Sequence, residues 1–422
     1  MSASFSWGIL LILSLYTLII LGLSARSRKK NHEDEAFIDG GRSLSFFMTV
    51  MMTAVLWGSA VFVLELNTGF LHGLSAIWFG VSVSLSGFLL VVLTMRFFRR
   101  HAHLTLSELI GNTFGQHAKR TAAFILAVTL PILAMSNVYA ATSFLHAVLH
   151  VPFGVLLLVT TLVTALYVMQ SGIWSIAYTQ IVNGILLLAA GVVLVFVLLP
   201  NHTAIGHPIT LQGYHSLWGL GASSIGLWLV SGVANAFSGQ AEMQVMLFAR
   251  SDRAAKRALL VSAILVLLFS FFPVWAGMQL RAMMPHTSQA FTALATVFIE
   301  KANPVEVTIF SLAIWSMALT YSAQHIFSGA SSLASDLPLL FSFRGKHFSL
   351  KQRMRIAIFV EAFFVAIPSL LQPVHLVWWS VLASLLRFVG VGLPVIFVWV
   401  LVGKKHVKRL HHKQTQTLCN ES

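Results

Sequence analysis

The residues able to do chemistry are few, and they sit inside long apolar runs. Trp57, Gly58 and Ser59 stand near the middle of the run 45–70. A glycine there lets a helix open, and an opened turn frees backbone carbonyls that can hold a cation. The same two small residues also suit close helix packing. Glu65 and Asn67 follow in the outer half of that run. A carboxylate there is costly unless it meets water, a cation or a partner. It can take a proton, a cation or an amine, or it can reach the outer interface and be solvated. The run 222–248 carries Asn235, Ser238, Gly239, Gln240, Glu242 and Gln244. Of these, Asn235 and Gln240 are the better cavity candidates, because the later ones fall towards the inner end.

In the run 304–334, Ser316 and Thr320 lie one turn apart on one face. Two hydroxyls on one face suit sodium, a hard cation that takes oxygen ligands, and equally suit interhelical hydrogen bonds. His325 reads as a packed, hydrogen-bonded residue. Glu361 and Arg387 carry opposite charges on neighbouring runs, which points first to a structural ion pair and second to a gate. No metal-ligand spacing, phosphate-binding glycine loop or nucleophile elbow is present, so an enzyme has no residues to stand on. The single cysteine, Cys419, excludes a disulfide framework or a cysteine-built metal site within one chain.

The elements that carry these residues follow from composition. Of 422 residues, 57% are hydrophobic and only 9% charged, against about 25% charged in soluble domains. Surface-to-volume scaling leaves no way to hide so much apolar surface from water, so it faces lipid. A bilayer core needs roughly 20 apolar residues per helix. Eleven runs qualify, at about 5–25, 45–70, 73–97, 120–148, 151–170, 175–199, 222–248, 256–280, 304–334, 354–372 and 375–402. The first is long enough to span and shows no small-residue cleavage site, so it reads as a helix rather than a signal peptide.

With the N-terminus outside and the C-terminus inside, all but Arg281, Lys301 and Arg387 of the 27 Lys and Arg fall on the inner side. That is the distribution expected of a multi-pass protein of a plasma membrane, here of the bacterial inner-membrane type. The net charge of +14 is spread over short clusters, not one basic face, which excludes a nucleic-acid partner. In the loop between Arg99 and Lys119, Thr105 or Ser107 can cap a short surface helix.

Several stretches in order resemble the sodium:solute symporter family. Gly40, Gly41, Arg42, Ser43 and Leu44 look like its Gly-Arg-Ser-Leu entry signature. Leu104 to Glu108, followed by Phe114 and Gly115, look like its inner-loop stretch. Tyr167, Gly172, Ala177, Thr179 and Gln180 fall on a further signature. Phe272, Pro273, Gly277, Arg281, Ala282 and Pro285 are similar to the ending of its eighth helix, and Ser331 to Asp336 to the end of its sodium-binding helix. Departures are Ser171 for a glycine and Gln180 for an aspartate.

The resemblance implies an all-α transmembrane fold of eleven helices. One N-terminal helix and its loop (1–44) would precede a ten-helix inverted-repeat core of the leucine-transporter type. The core would run over 45–402, with repeats at 45–199 and 222–402 and a basic cytoplasmic tail at 403–422. Broken helices would open each repeat. The resemblance further implies a sodium site on the carbonyls of Val55 and Gly58 and on Thr320, with Ser316 in one register, or Met317 and Tyr321 in the other. Substrate would sit near Trp57, Ser59, Asn235 and Gln240.

The expected function is sodium-coupled uptake of a small polar organic solute by alternating access, with sodium as the coupling ion and no organic cofactor. The expected partners are the solute and the lipid bilayer, and the oligomeric state is left open. A proton-coupled transporter using Glu65 as its carboxylate is the first alternative. A membrane receptor that keeps the fold without transporting is the second.

Overall fold

A computed structural model of the chain describes residues 3–27, 34–101, 104–199, 212–338, 348–370 and 376–402. The tail 403–422 with Cys419, residues 200–211 of the long loop, His103, Arg28, Lys29, Lys30, Arg344 and Lys346 lie outside them. The described residues are helical nearly throughout, with no strand among them and one isolated bridge between Leu44 and Ala249. The order is α1 (Ala3–Ser27), α2 (Asp34–Asp39), α3 (Phe46–His72), α4 (Trp78–Leu89), α5 (Met95–His101), α6 (Leu106–Phe114), α7 (Gln116–Leu149) and α8 (Phe153–Ser171). There follow α9 (Ile173–Leu198), α10 (Ala222–Ser238), α11 (Gln240–Phe248), α12 (Asp252–Met283), α13 (Ala290–Lys301), α14 (Pro304–Asp336), α15 (Leu350–Leu370) and α16 (Leu376–Arg387), the last continuing to 402 through a π-turn at Phe388–Gly392.

Eight stretches among the described residues are long and apolar enough to cross a membrane. The difference from eleven runs has three causes. The runs 45–70 and 73–97 join into one 48-residue stretch, Phe46–Leu93, with a 3₁₀ turn at Gly73–Ile77. The run 222–248 is cut at Gly239 into α10 and α11, each short by itself. α15 carries Lys351, Arg353, Arg355 and Glu361.

Caps fix the ends of several elements. Ser45 caps α3 by accepting from the Met48 amide at 3.3 Å. Thr105, one of the two candidates, caps α6 by accepting from the Glu108 amide at 3.1 Å. Asn303 and Glu306 form a reciprocal capping box on α14, with Pro304 in its first turn. α13, unforeseen in the sequence, buries Phe291, Leu294, Val297 and Phe298.

Two groups of helices pack around a shared interior. In one, α3 lies along α12, and α4 along α10 and α12. In the other, α14 packs on α7, α9, α8 and α15, while α1 covers α8 and α9. The α3–α12 crossing is tight because glycines face it: a Cβ on Gly277 would overlap the Leu66 carbonyl, and one on Gly69 would stand 2.9 Å from the Val274 carbonyl. At the turn after α3, Gly73 has φ 69°, and a Cβ there would overlap the Tyr214 carbonyl. Tyr214 also donates its hydroxyl to the Gly69 carbonyl at 2.7 Å, and burial pushes its phenol pKa up, so it stays a donor.

Gly277→Leu is expected to force α3 and α12 apart and cost about 1–3 kcal/mol. Gly226→Ala, which points into open space, is the control. Thermal unfolding of the two variants in detergent measures the difference.

Candidate functional site

A cavity lies between the two helix groups, with about 110 Å³ of space, enough for several waters or one small solute. One face of α3, carrying Trp57, Ala60, Leu64 and Thr68, forms a wall at helical spacing. Phe79 and Trp228 add aromatic surface, with ring centroids 5.8 Å apart. The polar lining comes from Asn235, Glu242, Tyr321, His325 and Arg387.

The break between α10 and α11 builds the polar part. Gly239 leaves the helix with ψ 83°. A Cβ on it would stand 2.7 Å from both the Asn235 carbonyl and Glu242 Oε2, so only glycine lets these groups close around the break. Asn235, one turn before Gly239, and Glu242, in the first turn of α11, thereby meet: Asn235 Nδ2 donates to Glu242 Oε1 at 3.1 Å. The α11 N-terminus favours a carboxylate at this position. From α16, Arg387 Nη2 donates to Asn235 Oδ1 at 2.7 Å. Trp57 Nε1 also points at Glu242 Oε1, at 3.4 Å. His325 Nδ1 contacts the Tyr321 carbonyl at 2.9 Å, and its ring lies 4.3 Å from that of Tyr321.

A dense polar cross-link lies beyond the break. Gln240 Nε2 donates to the Ser328 carbonyl at 2.8 Å and to Ser332 Oγ at 2.9 Å, while its Oε1 accepts from the Leu106 amide at 3.0 Å. Gln244 donates to the Leu104 carbonyl at 3.2 Å and accepts from Ser328. Asp336 accepts from Thr105 at 2.6 Å and Ser107 at 2.5 Å, and pairs with Lys119 at 3.0 Å. Arg99 pairs with Asp252 and donates to the Ala249 carbonyl at 3.1 Å. The bonds of Gln240, Gln244 and Asp336 tie α11 and the α6 region to α14, those of Arg99 tie α5 to α12 and the end of α11, and together they seal that end of the interior.

The structure thus brings Trp57, Asn235 and Tyr321 to the cavity and leaves other expected residues outside it. Gln240 belongs to the seal. Ser59 is buried, with its hydroxyl on the Val55 carbonyl at 2.8 Å. The break expected at Gly58 is absent, for α3 runs unbroken from Phe46 to His72. Opening it among apolar neighbours would leave carbonyls unpaired, and Gly58 instead admits Leu187 of α9, whose Cδ2 would be 3.1 Å from a Cβ.

Ser316 bonds the Ala313 carbonyl at 2.8 Å, and Thr320 accepts from Asn183 Nδ2 at 2.5 Å. Asn183 in turn accepts from Tyr16 of α1. Glu65 is fully buried rather than solvated. It accepts from the Gly80 amide at 2.7 Å and from Ser270 at 2.5 Å, which joins α3, α4 and α12. The expected Glu361–Arg387 pair does not form, because Arg387 turns to Asn235 while Glu361 faces Gly329 of α14. Glu242, read from the sequence as an inner-end residue, and Arg387, read as the partner of Glu361, line the cavity instead, together with Phe79, Trp228 and His325. The break at Gly239 interrupts the helical spacing between Asn235 and Glu242, so no local signal put these two side chains together.

A helix broken within its apolar run beside a polar cavity is a feature that membrane transporters share. Comparison with known proteins adds a family likeness and a shared fold. Residues 37–207 match the Sodium:solute symporter family, the resemblance expected from the sequence. A Na+-coupled sialic acid symporter, solved substrate-bound in an outward-open state, shares the fold. Its TM-score is 0.74 at 16% identity, over 92% of this chain and 86% of that one. A manganese transporter of Eremococcus coleocola aligns only loosely, with a TM-score of 0.44 at 12% identity over 86% of this chain and 76% of that one. No curated protein matches the sequence.

Asp336→Leu is expected to cost about 3 kcal/mol, since it strands Lys119 and two buried hydroxyls. Ser59→Ala, which frees only a bond within its own helix, should cost less than about 1 kcal/mol. Denaturation of each purified variant checks the contrast.

Proposed function

We propose that the protein is a secondary transporter that moves a small polar organic solute across the membrane by alternating access, coupled to sodium. The observation that carries this reading is the cavity at the Gly239 break, closed at one end by Gln240 and Asp336. The match over 37–207 and the shared fold support it. On this reading the chain has eleven membrane helices, α1 followed by a five-plus-five inverted repeat over 45–199 and 222–402. The N-terminus and the 212–221 loop lie outside, and the basic clusters and the tail 403–422 lie inside. The membrane is the bacterial inner membrane. The solute occupies the cavity, against Trp57 and Asn235.

Sodium would bind where α3 meets α14, at Thr320 with Ser316 in one register or Met317 and Tyr321 in the other, and at the carbonyls of Val55 and Gly58, which come free only when the unbroken α3 opens at that point. The present hydrogen bonds set a condition on that. Thr320 is held by an amide N–H of Asn183, which repels a cation. Rotating the Asn183 side chain by half a turn presents its oxygen instead and lets its NH₂ serve Tyr16. Binding sodium therefore involves Asn183 and, through it, α1. A proton-coupled variant of the same mechanism is favoured by one observation: Glu65 Oε2 is buried with no hydrogen-bond partner among the described residues, a place for a proton.

Two outcomes are expected. In proteoliposomes, an inward sodium gradient drives accumulation of one solute from a labelled panel, and Thr320→Ala lowers its sodium affinity by about tenfold or more. Accumulation driven by a proton gradient alone and lost in Glu65→Gln would transfer coupling to Glu65, and saturable binding without accumulation would indicate a receptor. In intact cells, a membrane-impermeant maleimide leaves Cys419 unlabelled until the membrane is opened, whereas labelling from outside would reverse the orientation.

A further inference from the structure

We propose that the cavity selects a small zwitterion, with a positively charged nitrogen held against Glu242 and a carboxylate held against Arg387. This deepens the reading above and rests on the cavity being the solute site. Glu242 and Arg387 are 7% and 4% exposed, at a depth where an isolated charge is expensive. Charges so placed ordinarily pair with each other. Here they do not, for the ion pairs among the described residues are Arg99 with Asp252 and Lys119 with Asp336.

Asn235 stands between the two charges. Its NH₂ is spent on Glu242 and its oxygen on Arg387, so each charge is held in place and kept from collapsing onto the other. Each also keeps an unused polar atom. Glu242 Oε2 and Arg387 Nε have no hydrogen-bond partner among the described residues, although both residues line the cavity. A Cβ at 239 would stand 2.7 Å from Oε2, so the glycine lets that oxygen close on the break; both unpaired atoms are buried, and a ligand in the cavity reaches them as the two side chains turn towards it.

A ligand bearing both charges completes both ends at once and adds no net charge to the membrane interior. A lone cation or a lone anion completes one end and leaves the other buried charge short of a partner, which is the costly half of the exchange. The aromatic rings of Trp57, Phe79 and Trp228 suit an alkylated or cyclic ammonium, through cation–π attraction. The size of the cavity restricts the ligand to amino-acid dimensions.

The test uses the full chain purified in detergent, with thermal unfolding as the readout of binding and no ion gradient. The probes are four zwitterions of increasing charge separation or bulk (glycine betaine, L-proline, β-alanine and γ-aminobutyrate). Choline and propionate serve as the single charges. At least one zwitterion is expected to raise the melting temperature saturably while choline and propionate at the same millimolar concentration do not. Glu242→Gln and Arg387→Gln should each weaken that binding by about tenfold to a hundredfold. The panel on the unaltered protein decides the matter even where a variant fails to fold.

Choline or propionate binding as tightly as any zwitterion, no zwitterion binding at all, or binding that survives both substitutions overturns the proposal. Zwitterion binding without gradient-driven uptake overturns the transport reading and leaves this one standing. Uptake of a singly charged or neutral solute with no zwitterion binding does the reverse.

Discussion

Hydrocarbon offers no hydrogen-bond partner, so every polar group at membrane depth must find one inside the protein or face a cavity. The helices answer for nearly all backbone groups. Side chains follow the same rule by bonding back to their own helix, as Ser59 does to Val55 and Thr53 to Thr49, or across to a neighbour, as Glu65 does to Ser270. What is left over is spread through the interior: Glu65 Oε2, both oxygens of Glu361 and the amides of Asn137, Gln180 and Gln324 have no partner among the described residues. At the Gly239 break the backbone opens, and the two buried charges beside it, Glu242 and Arg387, each keep one such atom next to the cavity lining.

That break separates two tasks within a few residues. Asn235 and Glu242 turn towards the cavity, while Gln240 turns the other way and locks α11 to α14 and α6. A movement of α11 that changed the grip on a solute would therefore also strain the seal. This is the physical link an alternating-access mechanism needs, since a ligand shifts an equilibrium only by its differential affinity for the two states.

The N-terminal helix is more than a cover. Tyr16 of α1 bonds Asn183 of α9, which bonds Thr320 of α14, and Ser24 of α1 reaches the Tyr167 carbonyl at 2.6 Å and Ser175. A helix that looks peripheral by order thus fixes the side chain that stands at the expected ion site.

That the chain is built of long apolar helices was determined by the sequence alone, because lipid demands length and hydrophobicity whatever the packing, whereas their number was not: eleven runs became eight spanning stretches among the described residues. Local end signals were legible to within two residues, since a cap involves only residues three apart: the sequence offered Thr105 or Ser107 for α6, and the structure uses Thr105. Trp57 and Asn235 stood out as polar or aromatic groups at mid-run. The tertiary structure alone decided which way each group faces. In a helix that is apolar on every side, no polar stripe reports its rotation. Gly58 could open a turn or admit Leu187, and only the position of α9 chose the second. Gln240 and Glu242 are two residues apart and equally polar, yet the break at Gly239 sends one into the seal and the other into the cavity. Arg387 was expected to pair with Glu361, and the packing of α16 beside α10 turned it to Asn235 instead. Facing depends on contacts between segments far apart in the chain, from 88 residues for Gln240 with Ser328 to 152 for Arg387 with Asn235, and no local pattern encodes that.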